Sequence, residues 1–321
     1  MKRRIRRTLT AFLCMLLIFT EEGSILVNAV EPEEEASQNE NGIMNEIQDP
    51  ENEEPEAVIN PEDEEEPAGG NDGSVSLNEA WWGIINENEH TVKLTKYTGS
   101  ENEIHVPDVI SGNTVTALGD SIFNGKNITS VELSDSVKTL GSNAFKNCKQ
   151  LAVIDLKNVE TIGGRCFEGD VLIREVVLPE TLKSVGGNIF DGCTGIKKVT
   201  LNSVQLDDLK NAFYGCTSLE DMDFSESCNM IPKSMFFYTS ISSCVIPPNI
   251  KTIGDYAFKR CERLDTIDLG NVETIGSHCF EEDPLIREVI LPETLQSVGS
   301  NIFNKCTGIK KVTLKSVQLQ D

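Results

Sequence analysis

The chain is poor in the residues that do chemistry. It has three histidines, two tryptophans and four tyrosines in 321 residues. No H-E-x-x-H, G-x-S-x-G or phosphate-binding glycine loop occurs, which removes the common zinc-peptidase, serine-hydrolase and nucleotide-binding readings. No C-x-x-C occurs either, so the ten cysteines carry no zinc-site spacing. Positive charge is scarce: 28 Lys and Arg stand against 52 Asp and Glu, a formal net charge of −24. Nucleic acids and anionic membrane surfaces both need basic patches, so neither is an expected partner. Beyond the N-terminus no apolar run approaches the ~20 residues of a spanning helix.

What is present is a phrase that returns, roughly V-x-x-I-G-x-x-A-F-x-x-C-x-x-L-x-x-I-x-L-P. Its phenylalanine recurs every 22 or 23 residues, at Phe123, Phe145, Phe167, Phe190, Phe213, Phe236, Phe258, Phe280 and Phe303. A fixed period of this length predicts a leucine-rich-repeat solenoid over residues 115–321, with about nine repeats, one short parallel β-strand in each and few short helices. In Leu151–Leu156 the L-x-x-I-x-L spacing predicts that strand, Ile154 and Leu156 pointing in and Val153 and Asp155 out. The glycine of the next half-repeat, Gly163, suits a tight bend. Each phenylalanine enters the core from the far side, and truncating one is expected to cost about 3–5 kcal/mol. At a strand spacing of about 4.8 Å the array is roughly 40 Å long. The sixth repeat departs from the phrase: Ile231–Phe236 lacks the glycine and the following loop is a residue short, which predicts an irregular step in the stack.

A larger duplication overlies the small one. Residues 155–208 and 268–321 align without a gap at an offset of 113 and are identical at 42 of 54 positions. Identity between them records history as much as need.

The N-terminal third is other material. Residues 1–29 read as a secretory signal peptide: Lys2, Arg3, Arg4, Arg6 and Arg7, then an apolar stretch from Ala11 to Phe19, then the cleavage-type sequence Val27-Asn28-Ala29. Residues 30–74 read as a disordered acidic spacer. Positions 30–73 hold 17 acidic residues and no Lys or Arg, and they lack the ordered ligand spacing of a calcium loop. Residues 75–114 read as a β cap over the first repeat, with strands near Val92–Tyr97 and Glu103–Pro107. Trp81 and Trp82 are adjacent on a strand and so face opposite ways, which argues for a cap rather than an aromatic sugar platform.

The cysteines follow the repeat register. Cys148, Cys193, Cys216, Cys261 and Cys306 stand three residues after a core phenylalanine, and Cys166 and Cys279 stand just before one. All nine beyond the signal segment take inward positions, where cysteine acts as a small apolar residue. Only Cys193 and Cys216 share a column in adjacent repeats, so a disulfide there is the one alternative. His278 precedes Cys279, but one duplication earlier the pair is Arg165 and Cys166, so no catalytic dyad is read. No catalytic, cofactor or metal residue is assigned.

The strand face remains as the candidate ligand surface. Its central lane is Glu132, Asp155, Val177, Thr200, Asp223, Val245, Asp268, Ile290 and Thr313. The lane before it runs from Ser130 and Val153 through Lys198 and Asp221 to Lys311. An ordinary solvated sheet face is the plain alternative.

The units Val137–Leu156 (VKTLGSNAFKNCKQLAVIDL) and Ile250–Leu269 (IKTIGDYAFKRCERLDTIDL) resemble the BspA-like leucine-rich repeat of bacterial surface proteins. The lead-in from Tyr97 to Phe123 is similar to the opening of such arrays, and the resemblance covers roughly residues 90–321. It implies a secreted, cell-surface, non-catalytic protein of adhesin type, binding a host or neighbouring-cell surface protein or glycan. The family supplies no catalytic residues, and some of its arrays stand beside enzymatic or wall-binding modules. Two other roles stay open: a structural stalk of the cell envelope, and the targeting array of a larger secreted enzyme. The signal and the spacer fit Gram-positive export. The array stops inside a repeat at Asp321, which reads as truncation, with self-association through the open end as the alternative.

Overall fold

The computed structural model describes residues 73–202 and 209–314, and the backbone of two short strands, Leu17–Phe19 and Ser24–Val27. Most of the signal segment and nearly all of the acidic spacer lie outside the described residues. So does the stretch 203–208.

From Glu103 on, the chain coils with one turn per repeat, giving a β-solenoid of about nine turns. Each turn has two strand positions. The first holds Ser130–Glu132, Val153–Ile154, Glu175–Leu178, Lys198–Leu201, Asp221–Phe224, Ser243–Val245, Thr266–Asp268, Glu288–Leu291 and Lys311–Leu314. The second is a two-residue strand such as Thr139–Leu140, Thr161–Ile162 or Thr274–Ile275. Where they pair between turns they pair in parallel, since a coil returning once per period brings equivalent residues side by side, and the first-position row is interrupted after Val153–Ile154 and after Asp221–Phe224.

The phenylalanines form one continuous internal column. Neighbouring rings from Phe123 to Phe303 lie 5.1–6.0 Å apart and nearly parallel. Phe123 to Phe280 are almost completely buried, whereas Phe303 is only partly so. At the N-terminal end Trp81 packs edge-on against Phe123, with centroids 6.0 Å apart, and Tyr97 lies 4.5 Å from Trp81. Trp82, one residue on, is exposed. The cap is a hairpin, Trp81–Asn86 with Thr91–Tyr97, and Thr91–Tyr97 runs parallel to Asn113–Leu118, which leads into the second-position sheet.

The expected short helices are absent among the described residues, for a physical reason. In every repeat the residue two before the phenylalanine has positive φ: Ser121, Asn143, Arg165, Asn188, Asn211, Ser234, Tyr256, His278 and Asn301. The residue two after it does as well, as at Gly125, Gly169, Gly192 and Gly215. Two left-handed residues in five break any helix. They turn the phenylalanine N–H toward the next repeat instead: Phe145 N–H donates to Cys166 O and Phe167 N–H to Ile189 O, both at 2.8 Å. The turn side is thus a third hydrogen-bonded ladder.

The expected reason for the repeat glycine also needs correction. Gly141, Gly163, Gly186, Gly254, Gly276 and Gly299 do not have positive φ. They sit where turns touch: a Cβ on Gly163 would lie 2.3 Å from Ser142 N, and one on Gly276 2.4 Å from Asp255 N. Glycine is needed for close approach between turns, not for a bend. In the sixth repeat Pro232 takes this slot. The Phe213–Phe236 spacing there is 6.0 Å, the widest in the column, and the first-position sheet breaks between Asp221–Phe224 and Ser243–Val245.

At the far end, the strand Ser24–Val27 pairs antiparallel with Lys311–Leu314, and Leu17–Phe19 pairs with Ser24–Val27. A free strand edge presents unpaired N–H and C=O groups and accepts such a strand.

Candidate ligand surface

The first-position strands bring the candidate lane together in pieces rather than as one row. Glu132 stands beside His105, whose Nδ1 is 2.7 Å from Glu132 Oε2. Val177, Thr200 and Asp223 are register partners in one three-stranded sheet. Val245, Asp268, Ile290 and Thr313 are register partners in another. Asp155 lies just past the strand Val153–Ile154, where its carboxylate accepts the Lys157 N–H at 3.0 Å and turns the chain. His105, at the start of this lane, escaped the sequence reading because it belongs to the cap and not to the phrase.

Three apolar side chains stand out on this face. Val153 is 65%, Val177 52% and Val245 71% exposed. Around them the charges partly satisfy one another. Lys198 Nζ lies 3.0 Å from Asp223 and 3.4 Å from Asp221, and these bonds raise its pKa. Lys311 Nζ lies 2.7 Å from Glu288. At the N-terminal end of the face a shallow hollow of about 360 Å³ opens between Glu132, Asp155, Asp108, Asp135 and Lys157. Lys157 Nζ is 3.6 Å from Asp135, and Asn158 donates to the same carboxylate at 2.7 Å.

No group of three or more His, Cys, Asp or Glu among the described residues is arranged to hold a metal ion. Cys193 and Cys216 are free thiols rather than a disulfide, and each donates to a main-chain carbonyl. Burial drives both thiols far above the usual range, which leaves them protonated and unreactive. His278 has a carboxylate and an aromatic ring as partners. Its Nδ1 lies 2.8 Å from Glu281 Oε2 and its ring stacks on Tyr256 with centroids 5.0 Å apart. The side chain of Cys244 lies outside the described residues.

A second surface on the turn side was missed. Three of the four tyrosines, Tyr214, Tyr238 and Tyr256, stand one or two residues from a core phenylalanine in repeats five to seven. Tyr214 stacks on Phe237 at 4.8 Å, and the Arg260 guanidinium lies 5.2 Å from the Tyr238 ring centre. Lys259 Nζ is 5.8 Å from the Phe237 ring and 5.5 Å from Tyr256, and it pairs with Glu281 at 3.0 Å. Burial works to raise the pKa of Glu281, but its bonds from Lys259, Asn304 and His278 hold it below the ordinary value. Tyr238 and Tyr256 both have positive φ, unusual for bulky residues. Reading the columns beside the phenylalanine, as well as the strand lanes, would have found this cluster.

A coil of parallel strands one repeat apart, with a phenylalanine column and no helix among the described residues, defines a leucine-rich-repeat solenoid of bacterial type. The sequence pattern of the BspA type Leucine rich repeat region matches in 6 copies, over residues 98–197, 153–265 and 196–310, and the chain belongs to this family. A leucine-rich-repeat protein from Bacteroides ovatus ATCC 8483 superposes with a TM-score of 0.63 at 24% identity, over 75% of this chain and 71% of that one. A leucine rich cell surface protein from Faecalibacterium prausnitzii A2-165 superposes with a TM-score of 0.58 at 23% identity, over 77% of each chain. At these identities the likeness shows the shared fold. No curated protein matches the chain.

Proposed function

We propose that this chain is the ligand-binding solenoid of a secreted, cell-surface protein, non-catalytic and adhesin-like, engaging a protein or glycan through its strand face. The observation that carries this reading is the exposure of Val153, Val177 and Val245 on a face that is otherwise polar. Family membership and the cell-surface description of the F. prausnitzii protein support the location. So does the basic-then-apolar N-terminus. The test is binding of the full chain, at micromolar concentration, to a panel of purified extracellular-matrix proteins and glycans, with and without Val153, Val177 and Val245 changed to Lys. Retention that the triple change abolishes supports the strand face. Retention that it leaves intact moves the surface elsewhere, and no retention by either chain defeats the reading.

A stalk of the cell envelope is the second reading. It is favoured by the pairing of Lys198 and Lys311 with acids on the same face, which leaves those charges already satisfied. On that reading the triple change leaves attachment of cells to their surroundings unaltered.

A further inference from the structure

Two carboxyl groups are sealed inside the solenoid. Asp170 and Asp283 are fully buried, and neither oxygen of either side chain has a hydrogen bond. They are the same residue of the two duplicated stretches, 113 positions apart. An ionised carboxylate in such a place is costly, since it is buried with no hydrogen-bond partner among the protein's own groups.

Their column says what they replace. Both stand three residues after a core phenylalanine, where five other repeats carry cysteine, the first Lys126 and the sixth Thr239. Each of those thiols donates to the carbonyl of the preceding repeat's phenylalanine. Cys148 reaches Phe123 O at 3.0 Å, Cys193 reaches Phe167 O at 2.9 Å, and Cys216 reaches Phe190 O at 3.2 Å. Cys261 reaches Phe236 O at 3.1 Å and Cys306 reaches Phe280 O at 2.8 Å. By the same register the carbonyls opposite Asp170 and Asp283 are those of Phe145 and Phe258. A carboxylate cannot donate to them, but a carboxylic acid can. Thr239, the hydroxyl-bearing member of the column, is also a donor, to Phe236 O of its own repeat at 3.0 Å.

The groups that face these acids favour the same state. Asp170 is surrounded by the thiols of Cys148, Cys166 and Cys193. Asp283 is faced by those of Cys261 and Cys306, with Glu262 and Glu282 outside. Burial pushes both carboxyls up to about 9 from an ordinary value of 3.8. The peptide N–H groups of Cys148 and Cys261, near but outside hydrogen-bond geometry, pull weakly the other way.

We propose that Asp170 and Asp283 are neutral carboxylic acids in the folded solenoid, each donating its proton to the carbonyl oxygen of Phe145 or Phe258, and that the pair hardens the array in acid and loosens it in alkali. The direction follows from proton counting. The folded protein keeps both protons until about pH 9, whereas the unfolded chain releases them near 3.8. Their contribution to stability is therefore whole below about pH 4 and is lost as pH rises toward 9. Across that range each carboxyl raises the unfolding constant by up to about tenfold per pH unit. The acids also stand between thiols that would otherwise be column neighbours, as Thr239 does between Cys216 and Cys261.

The test compares urea unfolding of the full chain with that of Asp170→Asn/Asp283→Asn, from pH 5 to 8.5. The amide cannot ionise and can still donate. The expected result is a steeper fall in stability with pH for the unchanged chain, and a difference favouring the variant that grows about a hundredfold in unfolding constant for each pH unit. An infrared difference spectrum at pH 7 should show a protonated carboxyl band that the variant lacks. If the amide variant does not fold, Asp170→Thr/Asp283→Thr, which repeats the residue found at Thr239, serves the same comparison. Parallel pH profiles together with no protonated band overturn the proposal. So does stabilisation of the unchanged chain, and not the variant, by a divalent cation, since that requires ionised, liganded carboxylates.

Discussion

The two duplicated stretches, residues 155–202 and 268–314 as far as they are described, are one design written twice with different surfaces. Inward positions are kept almost without exception, from the phenylalanines to the buried acids. Four glycines of the first copy, Gly164, Gly169, Gly187 and Gly192, are Ser277, Glu282, Ser300 and Lys305 in the second. Two of these exchanges fall on left-handed backbone: Gly169 and Gly192 have φ of 79° and 66°, and Glu282 and Lys305 keep 65° and 61°. The second copy has traded conformational ease for charge. Glu282 now accepts Lys305 at 2.9 Å and Arg260 at 3.5 Å. Left-handed backbone costs a non-glycine residue about 1–2 kcal/mol, whereas an exposed ion pair contributes about 0–1 kcal/mol. The shared interior sets the fold, and the turn side is where this family of turns can change at moderate cost.

The largest expected difference between the copies is in the column itself. Phe190 and Phe303 are equivalent, but Phe190 lies between two full repeats and Phe303 is partly exposed. Phe190→Ala should cost about 3–5 kcal/mol in urea unfolding, and Phe303→Ala clearly less. Equal costs would mean that the last turn is as well covered as the middle ones. Next come the buried acids. Asp170→Asn and Asp283→Asn made singly should each remove a similar share of the pH slope between about 4 and 9, because both stand near 9 for the same reason of burial. Unequal shares would separate the sites by the nearby Glu262 and Glu282, which act on Asp283. Smaller again, Gly192→Lys should destabilise the first copy by about 1 kcal/mol, because a Cβ there meets no atom within 4 Å and only the backbone is strained. Lys305→Gly should shift the urea midpoint the opposite way. The smallest effect is expected on the strand face: Lys311→Ala, which breaks the 2.7 Å pair with Glu288, should leave the midpoint within error at physiological salt.

Much of this was legible from the chain because the period forces equivalence. Once Phe145 is inward, so are Phe167 and the rest, and the strand at Val153 implies those at Glu175 and Lys198. What the period hides is contact between turns. Gly163 looks like a bend until the peptide of Ser142 is placed 2.3 Å from its missing Cβ. The left-handed pair around each phenylalanine is signalled by Asn143, Asn188, Asn211 and Asn301 but masked by Arg165 and Tyr256, which have no preference for positive φ. Helix was therefore expected where a third ladder runs. Within the candidate surface the lane was readable residue by residue, but its division into separate sheets was not, because the breaks after Val153–Ile154 and after Asp221–Phe224 depend on pairing between turns and not on the phrase. Asp170 and Asp283 went unremarked as column members, since a polar side chain in that slot reads as exposed until its neighbours are known.

The Pro232 step has a mechanical meaning. An array of identical turns, each bonded to the next along three sides, shares a pull along its length evenly. The first-position sheet is interrupted at two junctions, and the one between Phe213 and Phe236 also has the widest ring spacing in the column. Tension on a tethered molecule should open that seam before any other, parting the coil into two stiff rods while each keeps its own interior closed.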